Sequence, residues 1–159
     1  MKVHQVRGWI HLRDDPDFDA RVAAVQAIIS TAGEDLHPVL SLDEKTAYSV
    51  RTPVMADTRG ADGVLYREFE YVRRGTISWY GVQECATGRL AMIRALARMD
   101  SEAFIGVLAQ LVTEHDETFT LIMDNGPAHT SRHTRAWLKA QPRITVVHTP
   151  CPCLLGEPG

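Results

Sequence analysis

Two short apolar runs, Leu40-Ser41-Leu42 and Leu121-Ile122-Met123, each close on an aspartate, Asp43 and Asp124. Apolar runs of this length, bounded by polar residues, suit strands buried in the middle of a sheet rather than amphipathic helices. We therefore expect a short buried strand over Pro38–Asp43 and a second over Thr118–Asp124, each ending in an acid. If the two strands are adjacent and parallel, both carboxylates emerge at one edge of the sheet. In open α/β sheets that edge is where ligands gather.

The rest of the chain fits around such a sheet. Asp14-Asp15-Pro16-Asp17 offers a helix start, with Phe18, Val22, Val25 and Ile29 at helical spacing and Gly33 as a stop. The stretch from Glu44 to Arg74, interrupted by Pro53, Gly60 and Gly63, is expected to be a long irregular connection. A hairpin follows, with arms at 75–84 and 89–97 and a turn at Ala86-Thr87-Gly88. Ser101 to Glu114 carries Phe104, Val107, Leu108, Leu111 and Val112, the spacing of an amphipathic helix. A helix over Ala128–Ala140 and a strand over Ile144–His148 complete the order, which implies one α/β domain with a mixed sheet.

Composition excludes several classes of protein. No apolar run approaches the ~18–20 residues of a membrane span, and the polar N-terminus has no signal-peptide core. A cytoplasmic protein with no membrane partner is the expectation. Cys85, Cys151 and Cys153 are too few and too unevenly placed for a disulfide framework, and free thiols are expected. The net charge of −3 does not mark a nucleic-acid binder, but the charge is unevenly spread. Between Arg51 and Arg98 there are eight arginines against five acids, a local excess that could meet phosphate or could simply be a solvated face.

Two carboxylates held side by side repel unless they share a proton or a cation. Magnesium favours such a pair with water and phosphate oxygens completing its shell, and two ions can serve phosphodiester chemistry. An aspartate just past a strand is also common as a turn residue or helix cap, so position alone leaves both roles open. A strand ending in Asp also opens haloacid-dehalogenase-type phosphotransferases. That motif needs a second aspartate two residues on, where this chain has Lys45.

The words around the acids go further. Leu40-Ser41-Leu42-Asp43-Glu44-Lys45-Thr46 and Leu121-Ile122-Met123-Asp124-Asn125-Gly126-Pro127-Ala128-His129 resemble the two metal-binding motifs of mariner-like insertion-sequence transposases, of the DDE endonuclease superfamily. Glu70-Tyr71-Val72-Arg73-Arg74-Gly75-Thr76 and Ala86-Thr87-Gly88 resemble the family's second strand entry and hairpin turn. Val147-His148-Thr149-Pro150 resembles the strand before its third acid, and Trp9 to Phe18 its link into the domain. The resemblance implies an RNase H-like fold, Mg2+ or Mn2+ in a two-ion site, and cleavage and joining of DNA at transposon ends. It makes Asp43 and Asp124 the first two catalytic metal ligands. Lys45, Arg73, Arg74, Asn125 and His129 become candidates for supporting the site or contacting DNA.

The match breaks at the C-terminus. The resemblance places a third acid, a glutamate on a helix, about ten residues beyond Pro150. Glu157 lies closer, between Gly156 and Pro158, where a helix is hard to start. With suitable synonymous codons, dropping one base after the Pro150 codon turns the tail into Ala-His-Ala-Ser-Trp-Val-Asn-Gln, close to the family's approach to that glutamate. We therefore expect a linker helix at 1–35, a partial catalytic core at 36–150 and a frameshifted tail at 151–159. The sheet would be incomplete at its C-terminal side, and the family's upstream helix-turn-helix is not among these residues. Such a fragment is expected to be inactive alone. The alternative is a non-catalytic remnant that binds DNA, full-length transposase or itself.

Overall fold

The computed structural model describes residues 17–34 and 37–150. The expected helix start at Asp14-Asp15-Pro16, most of the Trp9–Phe18 link, Cys151, Cys153, Glu157 and the whole 151–159 tail lie outside the described residues. The elements, in chain order, are α1 (Phe18–Ser30), β1 (Val39–Pro53), β2 (Thr58–Arg59), β3 (Leu65–Tyr66), β4 (Tyr71–Glu84), β5 (Leu90–Leu96), α2 (Ser101–Glu114), β6 (Phe119–Met123), α3 (Arg132–Lys139) and β7 (Ile144–His148). Five strands form one sheet in the order β5-β4-β1-β6-β7. The β1–β4 and β4–β5 pairs are antiparallel, whereas β1–β6 and β6–β7 are parallel. The expected mixed sheet flanked by helices is therefore present. No helix among the described residues is long and apolar enough to cross a membrane.

All five residues of β6 are buried, as a continuous apolar run requires of a central strand. The core lies between the sheet and α2. Phe104, Val107, Leu108 and Leu111 on α2 pack with Leu40, Leu42, Tyr80, Val82 and Leu121 from three strands. Each fully buried side chain of this size contributes about 1.5–3 kcal/mol. Asp100 caps α2 by accepting from the Ala103 amide at 2.9 Å. At the other end, Arg143 donates to the carbonyls of Val112 and His115 at 2.9 and 2.8 Å, serving groups that the helix leaves unpaired. In α1 no residue is fully buried.

Two expectations need correction. Strand β1 does not end at Asp43 but runs on to Pro53. Its pairing with β6 reaches only Ser41, while its pairing with β4 continues to Pro53 opposite Tyr71. The residues past Asp43 therefore form a two-stranded ribbon rather than the long irregular connection expected over Glu44–Arg74. Thr46, Tyr48, Val50 and Thr52 suit such a ribbon, and a bulge between Lys45 and Tyr48 holds Ala47 at φ 53°. The second correction concerns α3, which starts at Arg132 rather than Ala128. Ser131 supplies the cap by accepting from the Thr134 amide at 3.1 Å, and residues 127–130 form turns before it.

Candidate metal centre

The parallel register decides where the two aspartates sit. Leu40 pairs with Leu121 and Ser41 with Ile122, an offset of 81 residues. Asp43 and Asp124 have that same separation, so the register carried two residues further sets them level on neighbouring chain segments. Asp124 follows the last residue of β6, and Asp43 lies within β1 just beyond the β6 pairing.

The Asp124 segment is tied to β7. The Thr149 amide donates to the Met123 carbonyl at 2.9 Å, and His148 Nδ1 lies 3.0 Å from the Asp124 carbonyl. Asn125 Nδ2 donates to the Thr149 carbonyl at 2.8 Å, so this side chain braces the loop. The carboxylate itself is held on one side. Oδ1 accepts from the Gly126 amide at 2.8 Å and lies 2.6 Å from His129 Nδ1. Both contacts use Oδ1, which leaves Oδ2 for another partner. A Cβ at Gly126 would sit 3.1 Å from Asp124 Oδ1 and 3.2 Å from His129 Nδ1, so the absence of a side chain there makes room for this contact.

His129 is 1% exposed. Its ring lies 4.2 Å from that of Phe104 and 5.9 Å from that of Tyr80, between centroids. Its Nε2 faces Glu44 Oε2 at 3.4 Å. Glu44 was not singled out in the sequence. Its signal was parity along β1: Leu40, Leu42 and Glu44 share one face of the strand, and the first two are buried. Burial pushes the Glu44 carboxyl above the usual carboxylate range; His129 opposes the rise, and the carboxylates of Asp124 and Asp43 add to it. Burial also raises the Tyr80 phenol, with Glu44 and Asp124 contributing.

Donor atoms of Glu44, Asp124 and His129 all lie within 4.8 Å of one another. Asp43 is not in that group. By strand alternation it faces away from Glu44, and its Oδ1 accepts from the Glu44 amide at 2.8 Å. It is exposed and lines an open cavity of about 410 Å3, to which Glu44, Lys45, Trp79, Tyr80 and Gly81 also contribute. Lys45 also borders a larger cavity of about 880 Å3 beneath the ribbon, with Tyr48, Arg51, Ile77 and Trp79. Arg73 and Arg74 are exposed on the ribbon, Arg73 opposite Arg51 and Arg74 Nε 3.3 Å from Thr52 Oγ1. Gly81 lies opposite Asp43. At roughly 3.3 Å per residue, both arginines are about 25 Å along β4 from that point. The structure therefore gathers Asp124, His129 and Glu44, sets Asp43 and Lys45 beside them, and places Arg73 and Arg74 well away.

The donor chemistry fits a divalent cation. Carboxylate oxygens predominate, one oxygen of Asp124 is left over, and two buried polar atoms, Glu44 Oε2 and His129 Nε2, have no hydrogen-bond partner.

A five-stranded mixed sheet in this order, with two aspartates level beside its central strands, defines an RNase H-like domain with an acidic site. Comparison with solved structures agrees on the fold. A crystal structure of the catalytic domain of Mos1 mariner transposase matches with a TM-score of 0.53 at 14% identity, over 87% of this chain and 64% of that one. The Mos1 transposase paired-end complex with the left transposon end matches with a TM-score of 0.51 at 17% identity, over 95% of this chain and 47% of that one. In sequence, the chain is 29% identical over 142 residues to the insertion element IS630 uncharacterized 39 kDa protein of Shigella sonnei, covering 86% of this chain and 39% of that protein. The DDE superfamily endonuclease family model matches residues 38–153, and the chain belongs to that family. It spans well under half of the IS630 relative and about half of the Mos1 chain in the paired-end complex.

Proposed function

We propose that this chain carries the cation-binding core of a DNA transposase that cleaves and joins DNA at transposon ends. The observation that carries this reading is the shared 81-residue offset, which sets Asp43 and Asp124 level beside the β1–β6 pair. Asp43 and Asp124 are the ligands for Mg2+ or Mn2+, and the family resemblance puts two ions in the complete site. When bound, such ions activate an attacking hydroxyl and stabilise the leaving oxygen of a phosphodiester. The chain's own residues prepare the site. Gly126 and His129 hold Asp124 Oδ1, Asn125 fixes the loop to β7, and Lys45, which lines the same cavity as Asp43, is the candidate to meet a phosphate. Arg73 and Arg74 contact DNA farther from the cleavage point.

Taken alone, residues 1–159 bind the cation without cutting. Among the described residues Glu44 is the third carboxyl near the two aspartates, and it is turned toward His129. Partners that complete the site are a full-length transposase or a second copy of this chain. The test is Mn2+ titration of the 159-residue chain by calorimetry, followed by incubation with duplex DNA bearing element ends. We expect saturable Mn2+ binding that Asp43→Asn and Asp124→Asn each weaken at least tenfold, and no cleavage. Binding untouched by both substitutions defeats the assignment. Cleavage that Asp43→Ala removes defeats the inactivity.

A further inference from the structure

We propose that the cavity of about 880 Å3 beneath the ribbon takes an unpaired base of DNA against Tyr48 and Trp79, while Lys45 and Arg51 meet the flanking phosphates. This rests on the reading of the Asp43–Asp124 edge as the place where DNA is cut, and it concerns the strand that leads away from that edge. The cavity is joined to the edge through shared walls. Lys45 and Trp79 line both this cavity and the smaller one that contains Asp43. Gly81 lies opposite Asp43 and Trp79 opposite Lys45, so the aromatic wall begins two residues, about 7 Å, from the level of Asp43.

A backbone irregularity builds that wall. Lys45 pairs with Trp79 and Tyr48 with Ile77, three residues along β1 against two along β4. Strict alternation from Lys45 would send Tyr48 to the other face, and the extra residue turns it back onto the face of Lys45 and Trp79. Ala47 takes a φ of 53° within this bulge, a left-handed conformation that a residue other than glycine adopts at a cost. The result is a Tyr48–Trp79 pair with ring centroids 5.1 Å apart. The rings are tilted by 57° rather than stacked, and Tyr48 stays 54% exposed, so ring surface is left for a ligand.

The charge of the cavity selects the ligand. Lys45 and Arg51 line it, and no carboxylate of the described residues does, in a chain whose net charge is −3. Arg51 is held over the Tyr71 ring, 4.2 Å from its centroid, and has no acidic partner among the described residues. Aromatic rings beside unpaired cations suit a nucleotide unit, base and phosphate together. The bases of a duplex are stacked on one another, so recessed rings meet only a base that has left the stack. A cross-strand aromatic pair also stiffens a ribbon, and the experiment separates that role from binding.

The test uses the 159-residue chain in EDTA at one fixed salt concentration. The probes are a blunt duplex and the same duplex with a short unpaired overhang carrying 2-aminopurine, in either polarity. We expect one overhang to be bound at least about fivefold more tightly than the blunt end, with its 2-aminopurine fluorescence quenched by stacking. Tyr48→Leu and Trp79→Leu should each remove most of that preference and the quenching, with blunt-duplex affinity held within about twofold. If Trp79→Leu does not fold, Tyr48→Leu at its exposed position decides. Tyr48→Phe and Trp79→Phe keep a ring and should stay within about threefold of wild type. Arg51→Gln should lower the salt-dependence slope for single-stranded DNA by about 0.7. Equal affinity for blunt and overhanging ends, or a preference that survives both leucine substitutions, overturns the proposal and leaves the DNA reading standing if the blunt duplex is bound. A wild-type chain that binds neither duplex overturns both.

Discussion

Thr134 offers a test of how the site is held together. Its side chain is fully buried at the start of α3, and Oγ1 donates to the Ala128 carbonyl at 2.6 Å. It also accepts from Ser131 Oγ at 3.0 Å. The hydroxyl thus closes the turn that presents His129 to Asp124. Thr134→Val keeps the shape but removes the hydroxyl, leaving a half-buried carbonyl and the Ser131 hydroxyl without these partners. Orphaning a buried group costs about 1–3 kcal/mol. Ala128 and Ser131 are partly exposed and can turn to water, so we expect about 2 kcal/mol in total. With a urea m-value of about 2 kcal/mol/M, the unfolding midpoint should fall by roughly 1 M. Thr134→Ser, which retains the hydroxyl and loses one methyl, should cost about 1 kcal/mol. Thr113→Val, at an exposed position on α2, should stay within about 0.5 kcal/mol. The measurement is urea unfolding followed by circular dichroism. A valine variant as stable as wild type, or a serine variant less stable than the valine one, refutes the argument.

Gly126→Ala should weaken Mn2+ binding by roughly tenfold, read by calorimetry, because the new Cβ crowds the Asp124–His129 contact at 3.1 and 3.2 Å. Arg143→Ala should cost about 2–4 kcal/mol in urea unfolding, since it removes two charge-assisted hydrogen bonds from the end of α2. If DNA runs along the ribbon, replacing both Arg73 and Arg74 by alanine should reduce the salt-dependence slope of binding by about 2, measured by filter binding across a salt series. A slope that does not change means that neither arginine meets a phosphate.

Local signals in the sequence were sufficient where one element could be recognised by itself. The 3.6-residue apolar spacing of Phe104, Val107, Leu108 and Leu111 locates α2, and the run Ile144–His148 locates β7. The start of α3 was harder to place, because Ala128 and His129 suit a helix as well as the turns they occupy. The length of β1 was not legible for a different reason. Past Ser41 the strand loses β6 and depends on β4 alone, so its extent is set by a partner some thirty residues away in sequence. Proline and glycine signalled a connection, but only its central part, between Pro53 and Tyr71, falls outside the β1–β4 ribbon.

The site shows the same division between local and long-range information. Asp43 and Asp124 stand out because each closes an apolar run, and their separation of 81 positions equals the pairing offset. Glu44 follows Asp43 and looks like a second acid at a strand end until β1 is seen to continue. Alternation then sends the two side chains to opposite faces of the strand, Glu44 toward the buried imidazole and Asp43 away from it. Asp124 is held at its carboxylate by an amide and an imidazole, whereas the Asp43 carboxylate meets only the next amide in its own strand among the hydrogen bonds of the described residues. On the proposed reading of both as cation ligands, Asp124 is held before a cation arrives and Asp43 is freer to adjust. That proposal then draws most of the orientation of the site from the β6–α3 loop, where the Gly126 amide and the His129 ring meet Asp124 Oδ1.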